Sequence, residues 1–301
     1  MGSKEIRGVV PPLITSFTPE GEFYEKGQAE VIDFLVEKGV HGLFAIGSYG
    51  SFALMKTEER KKLARLILKI VRGRIPVIFQ VGAPGTRETV ELAKDAEAAG
   101  ADALAAVVPF YYSGIAYKEP EVLGHFETLV KAVKVPVWIY NNPKTTGFCV
   151  WASLLVKLAE AGVQGIKDSS GDFMSFADWM NEVLAVKPEF TFMAGTVGLL
   201  QPTYYLGARG CVAGTANAFP ELVLELYAAL ERGDVKKAGE LQGKVIAVRK
   251  YQQISGFRPA GCYPLLRWRG VDPGTVRKPW REPNAEECEL MRAGMEKAGV
   301  L

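Results

Sequence analysis

Short apolar runs alternating with segments of helical period limit what this chain can fold into more than any other feature. Eight runs rich in Val, Ile and Phe lie at residues 9–16, 42–47, 76–82, 103–108, 136–141, 164–168, 190–195 and 210–215. Each is apolar at both odd and even positions, as a strand covered on both faces requires. Between them, residues 25–38, 57–72, 86–99, 119–133, 152–161, 173–186 and 197–206 have helical periodicity. Gly39, Gly73, Gly100 and Gly162 stand where four of these helices should end, just before the next strand. Strands that alternate with helices pair in parallel through crossovers. Eight such units in 301 residues fit a (β/α)8 barrel, for which about 250 residues is typical.

After the eighth run the pattern changes. Residues 220–232 and 235–253 are helical, and 284–298 are helical again after a stretch at 256–283 rich in Pro, Gly and Arg, expected to be a loop. The expected organisation is a barrel over residues 1–230 carrying the active site and a C-terminal helical extension over 231–301 packed on it.

Composition narrows the function classes. A hydrophobic content of 48% with 23% charged residues is that of a soluble globular protein. The net charge is +2 with Lys and Arg spread along the chain, so neither nucleic acid nor a membrane surface is an expected partner. Cys149, Cys211, Cys262 and Cys288 are far apart, and His41 and His125 form no ligand spacing, so no metal or other cofactor is expected. The first residues lack an apolar core and no run reaches the roughly 18 apolar residues of a membrane span, which makes the cytoplasm the expected location.

A barrel of this type carries its chemistry at the C-terminal ends of its strands. The second run ends in a glycine-rich turn, Gly47-Ser48-Tyr49-Gly50-Ser51, which can offer N–H groups and hydroxyls to a carboxylate, or can be an ordinary tight turn. The fourth ends in Pro109-Phe110-Tyr111-Tyr112, an aromatic rim that alone reads as packing. The fifth ends in Tyr140-Asn141-Asn142-Pro143, where the phenol is either a proton carrier or a core tyrosine. The sixth ends in Lys167, followed by a turn and helix N-cap in Ser169-Ser170-Gly171-Asp172. An amine at a strand end in an apolar wall loses solvation in its charged form, so it becomes a neutral nucleophile able to form an imine. The plain alternative is a lysine in a surface salt bridge.

Taken together, these strand ends resemble the dihydrodipicolinate synthase and N-acetylneuraminate lyase superfamily of class I, Schiff-base aldolases. The resemblance runs from PPLITSF through GSYGSFALMKTEER, PFYY, YNNP, IKDSSGD and GCVAGTAN, nearly the whole chain. It implies that Lys167 forms the imine with pyruvate or the 2-keto end of a substrate and that Tyr140 is the acid/base group. Ser48 and the N–H groups of the turn from Gly47 through Tyr49 to Gly50 would hold the keto-acid carboxylate. The carbonyl of Val212 would face the site, and Tyr111 would reach a neighbouring subunit's site, in a homotetramer built as a dimer of dimers.

The chain also departs from that pattern. The family's turn reads Gly, Thr or Ser, Thr, Gly, Glu, whereas here Tyr49 and Ser51 replace the second Thr and the Glu. Five residues after Tyr140, where the synthases carry an arginine for the aldehyde's carboxylate, this chain has Thr145, with Lys144 beside it. A hydroxyl does not replace a bidentate guanidinium. Val197, Gly198 and Gly214 stand where the neuraminate lyases hold a sugar chain.

The expected activity is therefore cleavage or formation of a carbon–carbon bond in a 4-hydroxy-2-keto acid. The site pattern is closest to the 2-keto-3-deoxy sugar acid aldolases. The alternatives are dihydrodipicolinate synthase itself, a Schiff-base dehydratase or hydratase-aldolase, and a non-catalytic keto-acid-binding barrel.

Overall fold

The computed structural model describes residues 5–112 and 117–301, and all eight apolar runs contain strands in it. These are β1 (Gly8–Val10), β2 (Leu43–Ala45), β3 (Val77–Gln80), β4 (Ala103–Val107), β5 (Val137–Asn141), β6 (Gly165–Asp168), β7 (Thr191–Ala194) and β8 (Gly210–Val212). They form one eight-stranded sheet in the order β1-β8-β7-β6-β5-β4-β3-β2. Sequence neighbours are sheet neighbours and the last strand lies beside the first, the strand order of a (β/α)8 barrel.

The helices are α1 (Glu25–Glu37), α2 (Thr57–Val71), α3 (Thr86–Ala99), α4 (Glu119–Ala132), α5 (Pro143–Thr146), α6 (Ala152–Glu160), α7 (Phe173–Val186) and α8 (Leu200–Tyr205). After the eighth strand come α9 (Pro220–Glu231), α10 (Val235–Gln252), α11 (Cys262–Trp268) and α12 (Ala285–Lys297). The four glycines expected at helix ends all have positive φ, between 69° and 106°. Among the described residues no helix is long and apolar enough to cross a membrane.

The chain divides into two compact units: Pro76–Val212 with the N-terminal segment up to Arg7, and Gly8–Ile75 with Ala213–Leu301. The first unit holds β3 to β8 in parallel register, with every residue of β4, β5 and β6 buried. On this sheet α7 is anchored by Phe176, which meets Phe192 of β7 edge to face at 5.6 Å, and by Trp179, only 2% exposed. Each such buried aromatic is worth about 1.5–3 kcal/mol. Asp172, the expected N-cap, accepts from the backbone N–H groups of Met174 (3.0 Å) and Ser175 (3.2 Å).

In the second unit β1 is shorter than the apolar run that contains it. Pro11 and Pro12 donate no N–H to a ladder, yet backbone pairing with the β2 segment runs on past them, with Phe44 N donating to Pro11 O and Leu13 N to Phe44 O at 3.0 Å each, and side chains add to it. Asn217 Nδ2 donates to Pro12 O at 3.0 Å, Gln28 Oε1 accepts from Ser16 N at 3.0 Å, and Tyr263 Oη donates to Thr15 O at 2.7 Å. The stretch 256–283 is not wholly loop as expected. It folds into a 3-10 turn (Arg258–Gly261) and α11, because Cys262, Tyr263, Pro264, Leu265 and Leu266 are all buried. Pro264 sits in the first turn of α11, where its missing N–H is tolerated. The helix expected at 197–206 splits into a 3-10 turn (Val197–Leu199) and α8.

Candidate active site

Strands β5 and β6 pair Tyr140 with Lys167 and, one position on, Asn141 with Asp168. Residues directly opposite share a face of the sheet and the next pair takes the other face. The Lys167 amine accordingly lies over the Tyr140 ring, 3.8 Å from its centroid. Lys167 is 3% exposed and Tyr140 4%. Burial pulls the Lys167 amine well below the usual lysine range. The ring face favours an ammonium, but it is a small effect against the loss of water. A buried amine that gives up its proton is a nucleophile, and a phenol beside it can exchange one. Asn142 Nδ2 donates to Tyr140 Oη at 3.2 Å and fixes where that hydroxyl stands.

Behind this pair, Asp168 is buried among donors. Asn141 Nδ2 donates to its Oδ1 at 2.7 Å, Ser170 N to the same oxygen at 3.0 Å, and Ser170 Oγ to Oδ2 at 2.7 Å. Burial pushes its carboxyl up, against the lowering pull of those donors. Sequence reasoning quoted Asn141, Asn142 and Asp168 within motifs but gave them no part. For Asn141 and Asp168 the signal was the alternation of the strands, which sends them to the face opposite Tyr140 and Lys167, whereas Asn142 reaches back to the Tyr140 hydroxyl.

Of the other residues expected from the sequence, Gly47, Ser48, Tyr49 and Gly50 lie together in one turn of the second unit. The turn closes with Ser51 N donating to Ser48 O (3.2 Å) and Phe52 N to Gly47 O (3.3 Å), and Thr15 Oγ1 donates to Gly50 O (2.9 Å). Ile46 and Ser51, at its two ends, have φ of 55° and 59°. The Tyr49 phenol reaches Gly214, where a Cβ would lie 2.2 Å from its oxygen. Arg249 of α10, unremarked in the sequence, is half-buried: burial and the like charge of Arg258 lower its pKa, and Tyr49 raises it. Val212, in the first unit, is the buried last residue of β8. Tyr111 is 82% exposed, with φ of 80°, and meets its neighbour Tyr112 edge to face at 4.9 Å. Thr145 turns its hydroxyl back to Asn142 O at 3.2 Å.

The model of the dihydrodipicolinate synthetase family matches residues 5–298. The chain belongs to that family. Its members are lyases and aldolases, and so is this enzyme. A probable 2-dehydro-3-deoxy-D-pentonate aldolase of Escherichia coli is 35% identical over 245 residues, 81% of this chain and 80% of that protein. A 4-hydroxy-tetrahydrodipicolinate synthase of Methanopyrus kandleri is 32% identical over 302 residues, 99% of this chain and 98% of that one. Among solved structures, that of the E. coli family member YagE in complex with pyruvate superposes with a TM-score of 0.94 at 28% identity, covering 98% of this chain and 99% of that one.

Proposed function

We propose that this family member is a pyruvate-forming class I aldolase that cleaves a 2-keto-3-deoxy sugar acid, with Lys167 as the imine-forming amine and Tyr140 as its proton carrier. The single observation that carries this reading is the buried Lys167 amine over the Tyr140 ring. The amine adds to the C2 carbonyl of the substrate and expels water, giving a protonated imine. As the C3–C4 bond breaks, its electron pair moves to C3 and is stabilised by the iminium nitrogen as an enamine. Tyr140 accepts the C4 hydroxyl proton, releasing an aldehyde. Protonation at C3 and hydrolysis of the imine then free pyruvate and the lysine. The N–H groups and Ser48 of the 47–50 turn hold the keto-acid carboxylate in this reading, Tyr49 lies in the same turn, and the Val212 carbonyl faces the substrate.

The sugar-acid substrate is supported by the aldolase relative and by Thr145, whose hydroxyl is committed to Asn142 O where the synthases carry an arginine. The second reading, condensation of pyruvate with aspartate semialdehyde, is favoured by the synthase relative. Borohydride reduction in the presence of pyruvate, followed by peptide mass analysis, tests the chemistry: a reduced adduct on Lys167 is expected, and a folded protein without it removes the reading. A panel of keto-deoxy sugar acids and aspartate semialdehyde, read by pyruvate release or consumption, separates the two substrates.

The active form in this proposal is a homotetramer in which Tyr111 meets a second copy. Its support is that Tyr111, 82% exposed, is held in a left-handed conformation unusual for an aromatic residue. Sedimentation of a fully active monomer would count against it.

A further inference from the structure

We infer that Asn141 and Asp168 are positioning residues that lock the ends of β5 and β6 together so that Lys167 and Tyr140 meet on the opposite face. This rests on the reading of Lys167 as the imine-forming amine.

The bonds converge on these two residues from every side. Asn141 donates to Asp168 Oδ1 at 2.7 Å, its Oδ1 accepts from Val150 N at 3.3 Å, and its carbonyl accepts from Ser169 N at 2.8 Å. Asp168 takes Ser170 N and Ser170 Oγ on its carboxylate, and Ser170 Oγ accepts from Asp172 N at 3.1 Å, so the chain of bonds continues into the cap of α7. On the other flank the carbonyl of Asp168 accepts from Gly195 N at 2.5 Å. A Cβ at residue 195 would lie 2.4 Å from that carbonyl oxygen and 2.2 Å from Ser169 Oγ, so only glycine lets β7 come this close.

An apolar pair would hold a sheet end without burying a carboxylate. A charged group that is 2% exposed, beside an amide that is 0% exposed, costs solvation and needs a compensating role. Directional bonds supply it: they fix distance and angle, where apolar contacts tolerate sliding. A misplacement of about 1 Å between reacting groups can cost about 100-fold in rate. The residue after Lys167 and the residue after Tyr140 are where that displacement is prevented.

The test follows borohydride trapping of pyruvate at Lys167 against pH, with kcat and KM for pyruvate release, in wild type, Asp168→Ala, Asp168→Asn and Asn141→Asp. Asp168→Ala should be trapped about 100-fold more slowly, with kcat falling far more than KM changes. Asp168→Asn should recover to within about tenfold, because its amide oxygen still accepts from Asn141 and Ser170 N while its NH2 donates to Ser170 Oγ. Asn141→Asp sets two carboxyls against each other, which bind best while they share a proton. Its trapping should therefore fall as pH rises, opposite to wild type, where a rising pH frees the amine. An untrapped wild type removes the aldolase reading and this one with it. A trapped wild type whose Asn141→Asp profile runs parallel to its own, with Asp168→Asn no better than Asp168→Ala, overturns the positioning role alone. Should Asp168→Ala fail to fold, the Asn141→Asp profile decides by itself.

Discussion

Tyr49 stands where a side chain at position 214 would go. A Cβ built on Gly214 lies 2.2 Å from the Tyr49 oxygen and 2.4 Å from its Cζ, while the Gly214 carbonyl is held by Asn217 Nδ2 (3.2 Å) and Gln252 Nε2 (3.4 Å). The backbone is thus tethered and the ring must give way. Gly214→Ala should cost about 1–3 kcal/mol, as other overpacked sites do. In a Tyr49→Thr background the same substitution should cost far less, because the clashing ring is gone. A thermal or urea double-mutant cycle reads the coupling, and strictly additive costs would show that the two residues do not share this space.

Tyr140→Phe separates the two jobs of the site. The ring that lies under the Lys167 amine stays, while the hydroxyl that receives the Asn142 amide, the proposed proton carrier, is lost. Trapping of pyruvate on Lys167 should survive, and turnover should fall by about 10²–10⁴-fold, the range for a lost general acid/base. Turnover within tenfold of wild type would assign the proton transfer to another group.

The fold was legible because its signals are local and repeated. Eight buried strands show as eight apolar runs, and Gly39, Gly73, Gly100 and Gly162 mark helix ends with a conformation other residues avoid. Lys167 and Tyr140 were legible as strand-end residues, and parallel register does the rest by setting them side by side. What the sequence hid depends on contacts between distant segments. Gly195 and Gly214 look like any glycine until Ser169 and Tyr49 are seen against them. The apolar stretch from Cys262 to Leu266 was hidden by flanking prolines and glycines that read as loop, although its burial makes a helix. The run at 9–16 carries two prolines, whose missing N–H groups were readable, but the side chains of Gln28, Asn217 and Tyr263 that bond its backbone come from other segments of the chain.

His125 should make the protein acid-sensitive. It lies on α4, 3% exposed, with Thr86 Oγ1 2.9 Å from Nδ1 and with Nε2 buried and unpartnered among the described residues. Burial lowers its pKa from 6.5 to about 4. Above pH 6.5 both folded and unfolded chains hold it neutral and its contribution is intact. As pH falls from about 6.5 towards 4 the unfolded chain binds the proton first, so stability is lost across that window by roughly 3 kcal/mol. Melting temperature against pH should show the fall in wild type and a flatter curve in His125→Leu. Parallel curves would place the acid sensitivity elsewhere.

Lys167→Met should abolish trapping and turnover while making the protein more stable at neutral pH. The buried amine has a folded-state pKa well below its usual 10.5 because folding strips its water. For a base with a depressed pKa, stability is fully present above the unfolded value and is lost as pH falls below it, so at pH 7 the unfolded chain is favoured by binding a proton that the folded one resists. Methionine has similar length and no charge to desolvate, which removes that cost without leaving a large cavity. The stability difference between Lys167→Met and wild type, measured by urea denaturation, should therefore be large at pH 7 and shrink as pH approaches 10. A difference that is absent at pH 7, or that does not change with pH, would mean that the amine keeps its charge in the folded protein and is not the neutral nucleophile that imine formation needs.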